Sequence, residues 1–128
     1  MTTAAEMVGD ANAQIEHVSP KEASDEVASG TAVLLDVREP VEWEQHINGA
    51  VQVPRGLIEF VADPASPKHN AHLDPAGRVI VYCRSGTRAA LAALTLKTLG
   101  YEDVANLDGG FTAWKEAGLP TDEHHADI

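Results

Sequence analysis

The sequence predicts an α/β fold, an open and mostly parallel sheet of five strands with helices on both faces. Short apolar runs alternate along the chain with helical segments, the pattern of strands joined by crossover helices. The run at residues 32–37 is apolar except for Asp36, as expected of a strand that is covered on both faces. The 128 residues suit one domain, and a hydrophobic content of 44% supports a core.

The amino-terminal part of the chain is expected to enter this domain through a flexible tail. Residues 1–13 are small, polar and without periodicity, which favours a tail. The domain is predicted to span residues 14–120, with a first strand within residues 14–18. Ser19 and Pro20 suit the N-cap and the first position of a helix that continues over residues 21–28.

The middle of the chain is predicted to hold two short strands and a long loop. The strand at residues 32–37 is followed by a short helix at residues 40–45 and a second strand at residues 50–53. A helical segment is expected over residues 55–61. Residues 62–77 contain three prolines and are interpreted as a surface loop, either a rim of a functional site or a solvated insertion.

The last third of the chain repeats the strand and helix alternation twice. We predict a strand at residues 78–82, a largely buried helix at residues 87–99, a strand at residues 103–107 and a helix at residues 110–117. Residues 121–128 are polar and are expected to form a carboxyl-terminal tail.

Charge and composition exclude several classes of partner. Nine basic residues against twenty acidic ones give a formal net charge of −11, which repels nucleic acid and anionic membranes. No run is long enough to span a bilayer, and the first ten residues lack the features of a secretory signal. The single cysteine excludes an internal disulfide and a cysteine-rich zinc site. We therefore expect a cytoplasmic protein.

That single cysteine, Cys83, lies between a predicted strand and a predicted helix. Sites in parallel sheets form at the carboxyl ends of strands. A thiol reacts as the thiolate, which is favoured by a helix amino terminus and by nearby cations such as Arg84 and Arg88. The alternative, an inert buried cysteine, is disfavoured because these polar neighbours are unlike an apolar setting.

The loop after Cys83 has the residue types of an anion cradle. Its amides are expected to point inward with the helix dipole behind them. Gly86 permits tight curvature, Ser85 and Thr87 carry hydroxyl donors, and the arginines offer charged contacts to an oxyanion. The candidate site is therefore Cys83 as the catalytic residue, with a binding loop of Arg84, Ser85, Gly86, Thr87 and Arg88.

The segment Cys83-Arg84-Ser85-Gly86-Thr87-Arg88 resembles the active-site loop of rhodanese-type sulfurtransferases. Two further blocks are similar to the amino-terminal and carboxyl-terminal signatures of that family. They are Leu35-Asp36-Val37-Arg38-Glu39-Pro40 with Glu42-Trp43 and His46-Ile47-Asn48-Gly49-Ala50, and Leu107-Asp108-Gly109-Gly110-Phe111-Thr112-Ala113-Trp114. One departure is Gln45, where the family has glycine before the histidine.

The resemblance implies a rhodanese-like fold and a persulfide mechanism. The Cys83 thiolate attacks the outer sulfur of a small anionic donor such as thiosulfate, and the sulfur then passes to cyanide or to a thiol. The mechanism requires no metal and no other cofactor. A protein persulfide or a protein thiol also stays open as a partner.

Two other functions are weighed against sulfur transfer. By resemblance, phosphatases and arsenate reductases share the fold, but five residues separate their cysteine and arginine, whereas four separate Cys83 from Arg88. The shorter loop leaves less room for a tetrahedral oxyanion and favours sulfur chemistry. A non-catalytic binding or regulatory module is the other alternative, and such modules commonly lose the cysteine that this chain keeps.

Other polar residues are given structural interpretations. Asp36 and Arg38 are interpreted as a strand-end carboxylate in an ion pair, and Asp108 as the cap of the last helix. Arg55 follows a strand end, which predicts that it lies on the same side of the sheet as the site. Five of the six histidines are interpreted as backbone-bonded or solvated rather than as metal ligands: His46, His69, His72, His124 and His125.

Overall fold

A computed structural model shows a parallel five-stranded sheet between two layers of helices, and the structure describes residues 1–123. The strands are β1 (Glu16–Val18), β2 (Val33–Asp36), β3 (Gln45–His46), β4 (Val51–Gln52), β5 (Arg78–Tyr82), β6 (Asp103–Leu107) and β7 (Asp122–Glu123). The α-helices are α1 (Ala4–Gln14), α2 (Pro20–Ala28), α3 (Ile58–Val61), α4 (Thr87–Thr98) and α5 (Gly110–Glu116). Short 3-10 turns cover Pro40–Glu42 and Arg55–Leu57.

The main sheet has the strand order β1-β6-β5-β2-β4, and all of its neighbouring strands run parallel. β5 is central, with Val81 opposite Leu35 on one side and opposite Asn106 on the other. The α/β fold with five mostly parallel strands is confirmed. The strand that precedes Cys83 is thus held by a neighbour on each side.

Each face of the sheet carries its own apolar core. Val79 and Val81 of β5 belong to a core with residues of α1, α3 and α4. Ile80 and Tyr82 belong to the opposite core, which contains residues of α2 and α5. Because successive strand residues point to opposite faces, this alternation is what a doubly covered strand requires. Cys83 continues the face of Val79 and Val81.

The amino-terminal segment is a helix, which corrects the expectation of a flexible tail at residues 1–13. Thr3 and Glu6 form a capping box: each side chain accepts the other residue's backbone N–H at 3.1 Å. Ala11 is fully buried in the same core as Ala93 of α4. The cap and this small contact residue let a segment of low hydrophobicity fold onto the domain.

The other end of the described chain also has regular structure. β7 pairs antiparallel with β3, with Gln45 opposite Glu123 and His46 opposite Asp122. The expected carboxyl-terminal tail is therefore wrong at these two residues, and its remainder, residues 124–128, lies outside the described residues. The predicted helix at residues 40–45 is also corrected, to the turn Pro40–Glu42 followed by β3.

Residues 62–77 form no helix or strand, in agreement with the predicted loop. Leu73 anchors the loop in the core, and the Tyr101 hydroxyl donates to the Ala62 carbonyl oxygen at 2.7 Å. His72 and Asp74 line a small cavity beside Val79, near the amino end of β5. Cys83 follows the opposite end of that strand, so this part of the loop lies away from the thiol. No helix within residues 1–123 is both long enough and apolar enough to cross a membrane.

Candidate active site

Cys83 follows the last residue of β5 and is almost completely covered, with 1% of its surface exposed. Its neighbours in the core include Val81, Ala89 and Ala90. The three loop residues Arg84, Ser85 and Thr87 are exposed. The thiol thus lies between a polar surface loop and the apolar side chains of the core.

Two backbone amides point at the sulfur of Cys83. The Gly86 N–H donates to Sγ at 3.0 Å, and the Ala89 N–H donates to it at 3.4 Å. Ala89 lies in the first turn of α4, where backbone N–H groups have no partner within the helix. Donors of this kind stabilise negative charge on the sulfur. The sequence placed the donors within residues 84–88 and missed Ala89, which lies inside the predicted helix.

The curvature that brings these amides to the sulfur is centred on Gly86, whose φ is +115°. L-residues rarely adopt this backbone conformation. The carbonyl oxygen of Gly86 accepts a hydrogen bond at 3.4 Å from Nδ2 of Asn106, which is 97% buried on β6. Asn106 Oδ1 has no hydrogen-bond partner within the described chain. The sequence analysis missed Asn106, although a polar residue inside the apolar run of β6 was the available signal.

The first turn of α5 binds the main chain of the Cys83 loop. The Phe111 N–H donates to the Cys83 carbonyl oxygen at 2.8 Å, and the Thr112 N–H donates to the Arg84 carbonyl oxygen at 3.1 Å. A Cβ atom on Gly110 would lie 2.6 Å from the Cys83 oxygen. Only glycine therefore permits this close approach. The segment at residues 107–114, which resembles the carboxyl-terminal signature of the family, thus positions the Cys83 loop.

Asp108 does not cap α5, which corrects the predicted role. The N-cap is Gly109, and it makes no side-chain cap hydrogen bond. Asp108 Oδ1 instead lies 2.8 Å from Nδ1 of His17, and the other ring nitrogen of His17 lies 3.0 Å from the Asn12 carbonyl oxygen. These two contacts raise the pKa of His17, the Asn12 carbonyl having the larger effect and burial opposing both.

The side chain of Arg88 is engaged by a carboxylate from another segment. Its Nη1 lies 2.7 Å from Oε2 of Glu42, and its Nη2 lies 2.9 Å from Oε1 of Glu42. The hydrogen bond from Arg88 is the main reason that the pKa of Glu42 falls to about 2, although burial opposes the shift. Arg88 was expected to reach an anionic ligand, whereas it is occupied by Glu42.

Arg84 is the other cation of the loop, and it has no ion-pair partner among residues 1–123. It lines a groove of about 680 Å³ beside the loop, together with Glu42, Thr112 and Lys115. The groove also carries four carboxylates, among them that of Glu42, so an anion that approaches the loop meets their repulsion as well as the positive charge of Arg84.

Asp36 and Arg38 form a buried ion pair, as the sequence analysis predicted. Arg38 Nη2 lies 2.8 Å from Asp36 Oδ2, and the Arg38 N–H donates to Asp36 Oδ1 at 3.0 Å. The guanidinium also donates to the Gln45 carbonyl oxygen at 2.8 Å and lies 4.5 Å from the Phe111 ring centroid. The pair therefore joins the end of β2 to β3 and α5.

Arg55 does not reach the Cys83 loop through hydrogen bonds. Its guanidinium donates to Glu59 at 3.3 Å and to Thr95 Oγ1 at 3.1 Å, in the second half of α4. His46 Nδ1 lies 3.0 Å from the Trp43 carbonyl oxygen, so the backbone-bonded interpretation is confirmed. His69 also bonds a backbone oxygen, that of Leu73 at 2.7 Å. Among the described residues, no His, Cys, Asp and Glu side chains form a group that would hold a metal ion.

Comparison with known proteins identifies the family that the three sequence blocks resemble, and its fold. The family model of the rhodanese-like domain matches residues 19–117. A probable adenylyltransferase/sulfurtransferase, MoeZ from Mycobacterium tuberculosis, is 36% identical over 80% of the chain, which spans only 25% of that protein's length. Thiosulfate sulfurtransferase 16 from Arabidopsis thaliana is 37% identical over 68% of this chain and 77% of its own.

A solved structure extends the similarity to nearly the whole chain. It is a protein of unknown function from Rhodopseudomonas palustris, described as a possible tyrosine phosphatase. It superposes with a TM-score of 0.88 at 34% identity, covering 95% of this chain and 96% of its own. Since the family model covers most of the chain and its match contains Cys83 with the segments that position it, this chain belongs to the rhodanese-like domain family.

Proposed function

We propose that the chain is a sulfurtransferase that carries sulfur as a persulfide on Cys83. The observation that carries the proposal is the pair of amides, from Gly86 and Ala89, that donate to Sγ of the chain's single cysteine. They stabilise a thiolate before transfer, and after transfer their positive ends also favour the negative charge of a persulfide. Similarity to a thiosulfate sulfurtransferase supports this assignment.

The proposed reaction has two displacement steps. The Cys83 thiolate attacks the outer sulfur of thiosulfate; a new S–S bond forms, the sulfur–sulfur bond of the donor breaks, and sulfite leaves with the electron pair. The cyanide ion or a thiolate then attacks the terminal sulfur of the persulfide. The new bond forms on the acceptor, and the S–S bond to Cys83 breaks to return the thiolate. No oxidant and no metal is consumed in either step.

Phosphatase chemistry is the second candidate, because the Rhodopseudomonas palustris relative is described as a possible tyrosine phosphatase. Two features of this chain disfavour it. Four residues separate Cys83 from Arg88, one fewer than in the phosphatase loops. Both terminal nitrogens of Arg88 contact Glu42, so they are not free for the bidentate contact that phosphate oxygens receive from arginine.

A non-catalytic binding module is the third candidate, and the retained cysteine disfavours it. An assay separates all three candidates. Thiocyanate formation from thiosulfate and cyanide is expected for the native chain and is expected to be abolished in Cys83→Ser. Hydrolysis of an aryl phosphate at a comparable rate would favour the phosphatase. A folded protein inactive in both assays, and without an adduct from any sulfur donor, would favour the binding module.

A further inference from the structure

The two arginines of the Cys83 loop differ in whether their charge is compensated. Arg88 makes a two-point contact with Glu42, at 2.7 and 2.9 Å. Arg84 is exposed and has no ion pair within residues 1–123. At the loop, an anionic donor therefore meets one cation that makes no ion pair within the described residues and a second cation that is already paired with a carboxylate.

Glu42 is itself fixed in place by the turn that follows β2. The Glu39 N–H donates to its Oε2 at 2.9 Å, the same oxygen that Arg88 Nη1 contacts. The turn Pro40–Glu42 closes with hydrogen bonds from the N–H groups of Glu42 and Trp43. The carboxylate thus has anchors on its own segment, and it does not depend on Arg88 alone for its position. Its pKa of about 2 keeps it charged at neutral pH.

This arrangement has a consequence for doubly charged ligands. The planar edge of an arginine matches two oxygens of a tetrahedral oxyanion, and Glu42 occupies that edge in Arg88. A dianion at the loop would have to displace the carboxylate, or bind beside it and be repelled by it. A monoanion with the same reacting sulfur suffers less repulsion and has less need of a second cation.

We propose that Glu42 determines donor specificity: by occupying Arg88, it makes the site discriminate against doubly charged oxyanions in favour of singly charged donors. This inference rests on the sulfurtransferase function proposed above. Thiosulfate and methanethiosulfonate form a suitable donor pair, because both present an outer sulfur. Thiosulfate carries two negative charges, whereas methanethiosulfonate carries one. In both, the thiolate attacks that sulfur, and sulfite or methanesulfinate leaves with the electron pair.

The decisive variant is Glu42→Gln, whose amide oxygen can still accept from the Glu39 N–H. It removes the negative charge, and the amide NH2 that replaces Oε1 cannot accept from Arg88 Nη2. The kcat/KM for thiosulfate is therefore expected to rise about tenfold relative to that for methanethiosulfonate, mainly through a lower KM. Glu116→Gln is the matched control, because Glu116 lines the same groove but makes no contact with Arg88. An unchanged ratio in Glu42→Gln, or an equal change in Glu116→Gln, would overturn the proposal.

A binding measurement separates this proposal from the catalytic one. In a Cys83→Ser background, sulfate affinity measured by calorimetry is expected to rise on adding Glu42→Gln and to stay low on adding Glu116→Gln. Sulfate affinity that does not rise would reject the role of Glu42 whether or not the protein transfers sulfur. If Glu42→Gln fails to fold, Glu42→Ala removes both the charge and the two contacts with Arg88; an unchanged donor ratio in that variant would equally reject the proposal.

Discussion

The Phe111 N–H donates to the carbonyl oxygen of Cys83 at 2.8 Å, so the last helix is hydrogen-bonded to the residue that carries the thiol. Thr112 extends this contact to Arg84. The position of the loop therefore depends on α5 as well as on β5 and α4. The glycine that precedes Phe111 is the point at which this dependence can be tested.

Gly110→Ala is expected to displace the Cys83 loop. The added Cβ would lie 2.6 Å from the Cys83 oxygen and 2.7 Å from the Arg84 oxygen, and the backbone φ is +61°. We expect sulfur transfer to fall by more than about tenfold, since misplacement of reacting groups by about 1 Å costs about a hundredfold. Turnover per folded molecule is the measurement.

Gly118→Ala is the control for backbone strain. Its φ is +75°, but a Cβ there would meet no atom of residues 1–123 within 4 Å. Both variants are expected to lose about 1 to 2 kcal/mol of stability from the left-handed conformation. If Gly118→Ala reduced turnover as strongly as Gly110→Ala, the effect would come from general destabilisation, and the proposed contact with the loop would be wrong.

Asn106→Leu is expected to reduce turnover with little loss of stability. The substitution removes the donor to the Gly86 oxygen, and it also removes an Oδ1 atom that is buried without a partner in the described chain. The Gly86 oxygen keeps the Ala90 N–H as a donor at 3.0 Å, so the substitution leaves no buried acceptor without a partner. We expect the melting temperature to change little and kcat to fall about threefold, as a 3.4 Å hydrogen bond is a weak restraint. Unchanged kcat would show that Asn106 does not position the loop.

Arg78→Met is expected to destabilise the fold at the amino ends of the strands, away from Cys83. Arg78 contacts Glu16 at 2.8 Å, Asp103 at 2.7 Å and Glu26 at 2.5 Å, which joins β1, β6 and α2 to β5. Its removal leaves three carboxylates to repel one another. Because two of them are more than half exposed, solvent weakens this repulsion, and the free energy of unfolding is expected to fall by about 1 to 2 kcal/mol.

Lys21→Met is the control for the loss of one positive charge. Within the described part of the chain, Lys21 makes a single exposed polar contact, of 3.5 Å with Asp25, so denaturant unfolding is expected to show little change. A loss of stability as large as that of Arg78→Met would show that net charge, rather than the Arg78 cluster, is responsible.

The contacts of His17 predict a pH-dependent contribution to stability. The Asn12 carbonyl and the Asp108 carboxylate raise the pKa of His17 above 6.5, against the effect of burial. A group whose pKa is raised by folding stabilises the native state fully below its unfolded pKa, and that stability is lost as the pH rises through the folded pKa. The difference in unfolding free energy between the native chain and His17→Gln should therefore be larger at pH 5.5 than at pH 9. An equal difference at both pH values would contradict the predicted linkage.

The sequence was sufficient to predict the central strands and insufficient for the amino-terminal helix. β5 and β6 have the predicted bounds: both start at a charged residue and end at a polar loop, and the apolar run between is interrupted only by Asn106 in β6. α1 was missed because its residues have little apolar character, although Thr3 and Glu6 have the spacing of a capping box. The packing of Ala11 into the core stabilises α1 on the domain, and the composition of the segment gives no sign of this packing.

At the candidate site, the loop residues were predictable, whereas their partners were not. Cys83 and the exposed loop could be recognised from adjacent residues. Glu42 is 46 positions from Arg88, and Asn106 is 20 positions from Gly86. The strand order decides which side chains come into contact. The pairing of Arg88 with Glu42 could therefore not be predicted, and Arg88 was expected to be available to an anion.

The most direct test of the account is the intact mass of the protein after incubation with thiosulfate. We expect a gain of one sulfur atom in the native chain, its loss on addition of cyanide, and no gain in Cys83→Ser. The same adduct in Cys83→Ser, or no adduct in the native chain with thiosulfate, methanethiosulfonate or a small persulfide, would contradict the assignment of Cys83 as a sulfur carrier.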